Sequence, residues 1–333
     1  MHKKGEGEQF NWIFVLVAGS IILSFFVMFT FKYVELQEKK QDVEAIRFFG
    51  GKVLAASSKI DVGDSGALDS DAENGLRFGY SVLLGQLCTD NTSTVYVNKG
   101  DLAKYKLKDE VVFMPREMQI NALDIWILPW KYPFQVTNFI YLADPKTRFY
   151  LVKDAASRDF VDALEINSIF NVTKVTKDQL RLTSKSKVIY FTSEPPSPVD
   201  LKLLKGTFTD VSFVSINLRK KPMEASFFDF QTSSWSSGTK FYVTEEDKAQ
   251  LYGAIFSTTK LNFECTINRA ITKVKLLSSF YSERANLLGQ IDTKEGCHYA
   301  EMSKTLLAYT KDLSLVDAVK QQNLAGAGCL WVF

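Results

Sequence analysis

The chain has 333 residues, 46% hydrophobic and 23% charged, which is room for about two globular domains plus one apolar segment. Its 40 lysines and arginines nearly balance 38 aspartates and glutamates, so the strongly basic face expected of a nucleic-acid-binding protein is not indicated. Two histidines leave little imidazole for catalysis, since His2 lies in the N-terminal tail and His298 is the only other one.

Residues 1–9 form a short polar tail, and residues 10–32 read as a transmembrane helix. No residue from Phe10 to Phe31 is charged, and Trp12 to Phe31 alone gives about 30 Å of helix, enough to cross the hydrocarbon core. A secretory signal has an apolar region of only about 7–15 residues followed by a small-residue cleavage site, and "FKYVELQEKK" supplies no such site. This segment is expected to contact membrane lipid and to be a place for self-association or protein partners. Residues 33–58 contain strong helix formers and read as a juxtamembrane helix weakened at Gly50 and Gly51. Residues 59–75, "KIDVGDSGALDSDAENG", read as an acidic linker. Asp69, Asp71 and Glu73 resemble the start of a calcium loop, but its glycine comes one position late and Tyr80 stands where the closing glutamate belongs.

Residues 76–243 change character. "LRFGYSVLLGQLC", "STVYVNKG", "DEVVFMP", "LDIWILPW", "QVTNFIYLAD" and "RFYLVKD" are β-branched or aromatic runs punctuated by turns, which predicts strands. Asp159 to Leu164 predicts a helix, and "FNVTKV", "SKVIYFTSE", "VSFVSINL" and "ASFFDF" predict further strands. The expected fold is α+β or α/β, with a mixed sheet domain. Residues 244–333 predict an antiparallel helical hairpin. One apolar stripe runs from Leu251 to Leu288 and a second from Tyr299 to Val316, with "GQIDTKEG" as the turn.

Four cysteines, Cys88, Cys265, Cys297 and Cys329, all follow the apolar segment and lack zinc-type spacing, so they read as disulfide candidates. Of the three pairings that four cysteines allow, folding the hairpin about Lys294 favours Cys265–Cys329, which leaves Cys88–Cys297 and staples the tail "GCLWVF" to the hairpin. Sequons at Asn91 and Asn171 are glycosylation candidates. The count of basic residues after the span points to a cytoplasmic C-terminus, yet long domains translocate largely regardless of charge. The cysteines and sequons favour a cell-membrane protein whose C-terminal domain is extracellular.

No triad, zinc cluster or phosphate-cradling glycine motif occurs, so no catalytic residue, metal or cofactor is assigned. His298 neighbours Cys297, and adjacent helical positions point apart, unlike a Cys-His pair. "WILPWKYPF" offers Trp126, Trp130, Tyr132 and Phe134 either as core filling, the favoured reading, or as a recognition surface.

The opening "KKG", a polar stretch and then an apolar helix resemble the archaeal class III signal of type IV pilin-like proteins. That resemblance implies cleavage after Gly5, a mature chain starting at Glu6, and a helix that anchors or assembles the subunit. Many such signals place a glutamate five residues after the cut, where this chain has Phe10. The start "KKGEGEQFNWIFVLVAG" with "LPWKYPFQVTNFIYL", "YGAIFS" and "QQNLAGAGCLWVF" is similar to a group of uncharacterised archaeal single-pass membrane proteins, which implies class and location only. The expected function is a membrane-anchored structural or binding protein of the cell envelope. The alternatives are a pilin-like filament subunit and an ectoenzyme that uses carboxylates.

Overall fold

The computed structural model describes residues 6–59, 66–68, 76–89, 92–98, 103–107, 110–244, 247–292, 296–324 and 329–333. It is an α+β protein with one long N-terminal helix, two seven-stranded sheets and a helical C-terminal region.

Helix α1 (Glu6–Lys59) runs without interruption for 54 residues, about 81 Å. The predicted juxtamembrane helix is therefore the continuation of the predicted span. From Trp12 to Gln41 nearly every side chain is exposed, whereas Ala45, Ile46, Phe49 and Val53 are buried. Those four recur at helical spacing and form one stripe, which seats the far end of α1 on the first sheet.

That sheet contains β1 (Gly66–Leu68), β2 (Leu76–Thr89), β3 (Thr92–Val97), β4 (Lys104–Lys106), β5 (Val111–Phe113), β6 (Glu117–Lys131) and β7 (Gln135–Ala143). Its order is β4-β3-β2-β6-β7-β5, with β1 pairing β6. Strand β1 lies within the predicted acidic linker, so that segment is not all loop; Asp69, Asp71 and Glu73 fall outside the described residues. The long β6 pairs with β2 through its first half and with β7 through its second. A bulge in β2 between Arg77 and Val82 breaks the register where β6 changes partners.

The second sheet holds β8 (Arg148–Val152), β9 (Asn171–Val175), β10 (Lys185–Phe191), β11 (Asp210–Asn217), β12 (Met223–Asp229), β13 (Ser234–Trp235) and β14 (Thr239–Phe241). Strands β9-β8-β10-β11 are parallel, and β12 pairs antiparallel with β11 and then with β13 and β14. The predicted helix at 159–164 is α2 (Arg158–Asp162), joining β8 to β9. Helix α3 (Pro198–Lys205) joins β10 to β11; its Ser197 cap and leading proline are an N-terminal signature inside "PPSP".

The C-terminal region is α4 (Ala249–Phe256), α5 (Lys260–Ile291), α6 (Tyr299–Tyr309) and α7 (Val316–Leu324). The predicted first stripe is broken at Ser257, where Thr259 caps a new helix by accepting from the Asn262 amide at 3.4 Å. Helices α5 and α6 form the expected hairpin. Small residues bring them close, with Ser278 Oγ donating to Leu306 O at 2.9 Å and Ser282 meeting Ser303 at 2.8 Å. An aromatic core fills the space between the β6–β7 arm, the second sheet and α4 to α6.

Candidate functional site

The N-terminal helix is the most distinctive construction in the molecule. Asp42 Oδ1 accepts from Asn98 Nδ2 at 2.7 Å, tying α1 to the end of β3 just before its buried stripe begins. Phe49 packs edge-on against Tyr105 with ring centroids 6.4 Å apart. Gly50, read from sequence as a weak point, lets the helix backbone approach that ring. Within Trp12–Val53 the most apolar stretch has mean hydropathy 2.5 and is wholly unburied, so one helix near the N-terminus is long and apolar enough to cross a membrane. Gly5 lies outside the described residues, and Glu6 is the first residue of α1.

The aromatic stretch is not a surface. Trp126, Trp130, Tyr132 and Phe134 are each at most 5% exposed, which removes them as a recognition face. Trp126 sits 4.9 Å from Tyr141 and 5.0 Å from Tyr252, and Trp130 stacks on Phe139 at 4.8 Å. Phe134 meets Tyr281 and the last residue, Phe333. The stretch is buried because the hairpin and the tail close over it: Tyr309 Oη donates to Tyr132 O at 2.7 Å.

The cysteines pair as Cys88–Cys265 and Cys297–Cys329, with Cα separations of 6.2 and 5.7 Å, which corrects the Cys265–Cys329 and Cys88–Cys297 pairing. The physical reason is the length of the second helical arm. Helix α6 stops at Tyr309 and α7 follows a break at Thr310–Asp312, so the tail does not continue along α5. It returns to the hairpin turn, where Tyr299 Oη receives the Leu330 amide at 2.8 Å. The tail is stapled, at the turn. Cys265, in the second turn of α5, meets the end of β2 instead.

Asn171 is exposed at the start of β9, an edge strand, and so is open to a glycan; Asn91 lies outside the described residues. His298 is exposed and stands 3.9 Å from Glu301, while neighbouring Cys297 has no thiol to offer as a nucleophile. Among the described residues no group of three or more metal-ligating side chains converges.

Sequence reasoning missed the setting of two ionic groups, the buried Lys187 and the half-buried Asp247. Lys187, on the inward face of β10, is buried and donates to Ser257 O, the carbonyl that ends α4. Burial holds its ammonium well below the ordinary lysine value. The signal was its phase: Lys187 alternates with Ile189 and Phe191 on the core side of the strand. Asp247 accepts from the amides of Lys131 at 3.0 Å and Ala249 at 2.8 Å, linking the β6–β7 arm to the start of α4. Burial pushes its carboxyl up to about 6, against the pull of those two amides.

A polar cleft of about 610 Å³ opens at the β2 bulge, lined among others by Ser81, Gln119, Asn121, Asp144, Lys146 and Lys185. Lys185 bridges the Asp144 carboxylate and, at 3.0 Å, Gln119 O, so its charge is neutralised in place. Its hydroxyl, amide, carboxylate and ammonium groups offer hydrogen bonds of both senses to a polar ligand. Compared with protein-family models, curated proteins and solved structures, the chain gives no match.

Proposed function

We propose that this chain is a single-pass protein of the cell envelope, held by residues 10–32 in lipid and displaying residues 76–333 outside as a structural or binding domain. The observation that carries this reading is the unbroken α1, uncovered along its apolar part and buried at its far end in the domain core. Two disulfide pairs suit an oxidising compartment, and Asn171 is open to a glycan. Binding is assigned to the polar cleft rather than to the buried aromatics. The test is protease treatment of intact cells with a tag at Phe333: digestion of the tagged domain is expected, and protection until lysis would overturn the outward orientation.

A second reading is favoured by the absence of a break between span and domain. A subunit whose apolar helix packs with copies of itself in a filament, as in archaeal pilin-like proteins, requires such a rigid helix. Processing after Gly5 would then make Glu6, where α1 starts, the mature N-terminus. The intact mass of the membrane-extracted protein separates the readings: loss of Met1 to Gly5 favours the filament subunit, and a full-length chain favours the permanent anchor.

A further inference from the structure

Outside the anchor, α5 exposes a second apolar surface. Leu276, Phe280, Leu287 and Ile291 are 71%, 58%, 58% and 76% exposed, although each is a large apolar side chain on a well-packed helix. Their spacing of four, seven and four residues puts all of them within about 60° of one another around the helix. The opposite face, with Val274, Ser278, Ser282 and Ala285, is buried toward α6 and the core. Beyond the end of α5 the Tyr299 hydroxyl bridges Asp292 and Leu330, and Leu330 and Trp331 are exposed as well.

We propose that this stripe is where two copies of the chain pair, α5 against α5 and antiparallel. The argument is the symmetry of the stripe. Its midpoint falls between Glu283 and Arg284, so a two-fold axis there sets Leu276 against Ile291 and Phe280 against Leu287 of the other copy. Closed homodimers require that residue i meet j while j meets i, and this spacing satisfies that condition. The gap between Phe280 and Leu287 is flanked by Glu283 on one side and Arg284 on the other, so the centre of the pair carries both signs and no net charge. The stripe is about 24 Å long, less than a standard interface, so pairing is weak in dilute solution and gains from confinement in a bilayer. It does not depend on which side of the membrane the domain occupies.

The experiment is sedimentation equilibrium of the full chain in density-matched detergent micelles. A monomer–dimer equilibrium is expected, with Phe280→Glu and Leu287→Glu each raising the dissociation constant at least tenfold. Glu283→Arg, which gathers four arginines at the axis, is expected to weaken pairing, and the swapped double variant Glu283→Arg/Arg284→Glu to restore it. A wild-type chain that stays monomeric overturns the proposal. So does a dimer indifferent to both stripe substitutions, which would place the contact in the membrane helix, or a single charge change that the swap fails to rescue.

Discussion

Gly50 faces the ring of Tyr105 so closely that a Cβ at residue 50 would stand 2.8 Å from Tyr105 Cε2, while a Cβ at the neighbouring Gly51 would meet nothing within 4 Å. Two adjacent glycines in one helix thus have opposite meanings. Gly50→Val must displace the ring that covers Phe49, and a cost of about 1–3 kcal/mol is expected from the overpacking. Gly51→Ala removes backbone freedom from the unfolded chain without a clash and should stabilise by about 0.5–1 kcal/mol. Thermal midpoints of the two variants in micelles, moving in opposite directions from wild type, check this. A Gly50→Val protein as stable as wild type would mean that α1 is not seated as described.

Asp247 sets a pH dependence whose sign follows from its raised pKa. The folded carboxyl titrates near 6 and the unfolded one near about 4, so between these values the folded state holds more protons. The group's stabilising contribution is complete below about pH 4 and is lost as pH rises through 6. Asp247→Asn removes this titration while altering the amide contacts equally at every pH. The difference in stability between the Asp247→Asn protein and wild type should therefore shift in the variant's favour from about pH 4.5 to about pH 7.5. A difference that does not change across that range would contradict the burial of this carboxylate.

Lys187 tests whether a buried ammonium is needed for stability. Its protonated form is desolvated, and the Ser257 carbonyl at the end of α4 is the acceptor described for it. Because its pKa is lowered, folding is disfavoured by this group until pH approaches the unfolded lysine value, and stability gains as pH rises toward about 10. Lys187→Met keeps the volume and removes the charge, so stability within about 1 kcal/mol of wild type is expected at neutral pH. Lys187→Ala leaves a cavity and should cost about 2–4 kcal/mol. Chemical denaturation of both variants decides it, and a Met variant as damaged as the Ala variant would make the hydrogen bond the dominant contribution.

The cysteine pairing makes a direct mass prediction. Peptides from a non-reduced digest should link Cys88 to Cys265 and Cys297 to Cys329. In the chain-entropy model the second bridge, spanning 32 residues, contributes about 4 kcal/mol. The Cys297→Ser/Cys329→Ser variant should release the tail and raise the proteolysis of residues near Trp331 before the rest of the domain unfolds.

The parts of this fold that could be read from sequence are those whose cause is local. The long apolar helix, the strands β2, β3 and β5 to β12 and the two arms of the hairpin follow from apolar runs and their period, whereas the short β4, Lys104–Lys106, has no such run. What escaped depends on distant partners. Cys329 finds Cys297 because Thr310 to Asp312 interrupts the second arm, and a stripe that keeps its three-and-four rhythm from Tyr299 to Val316 gives no sign of that break. Core filling is the favoured reading of Tyr132 and Phe134, but the residues that cover them, Tyr281, Tyr309 and Phe333, arrive from more than a hundred residues away and have no local mark. The pairing sense of β11 has no local mark either: it pairs parallel with β10 and antiparallel with β12, a choice made by the α3 crossover. The polar cleft has no sequence signature at all, since it is assembled from a bulge, a turn and the start of a strand.

The unbroken α1 also acts mechanically. With no hinge between the apolar part of the helix and the part seated on the first sheet, the two must lean together. Transmembrane helices tilt by about 20° to fit the thickness of the bilayer, and over the roughly 40 Å from Tyr33 to Lys59 that lean carries the seated end sideways by about 14 Å. For a chain anchored as proposed, the height and heading of the domain are therefore functions of lipid thickness, and a thicker membrane stands the domain more upright.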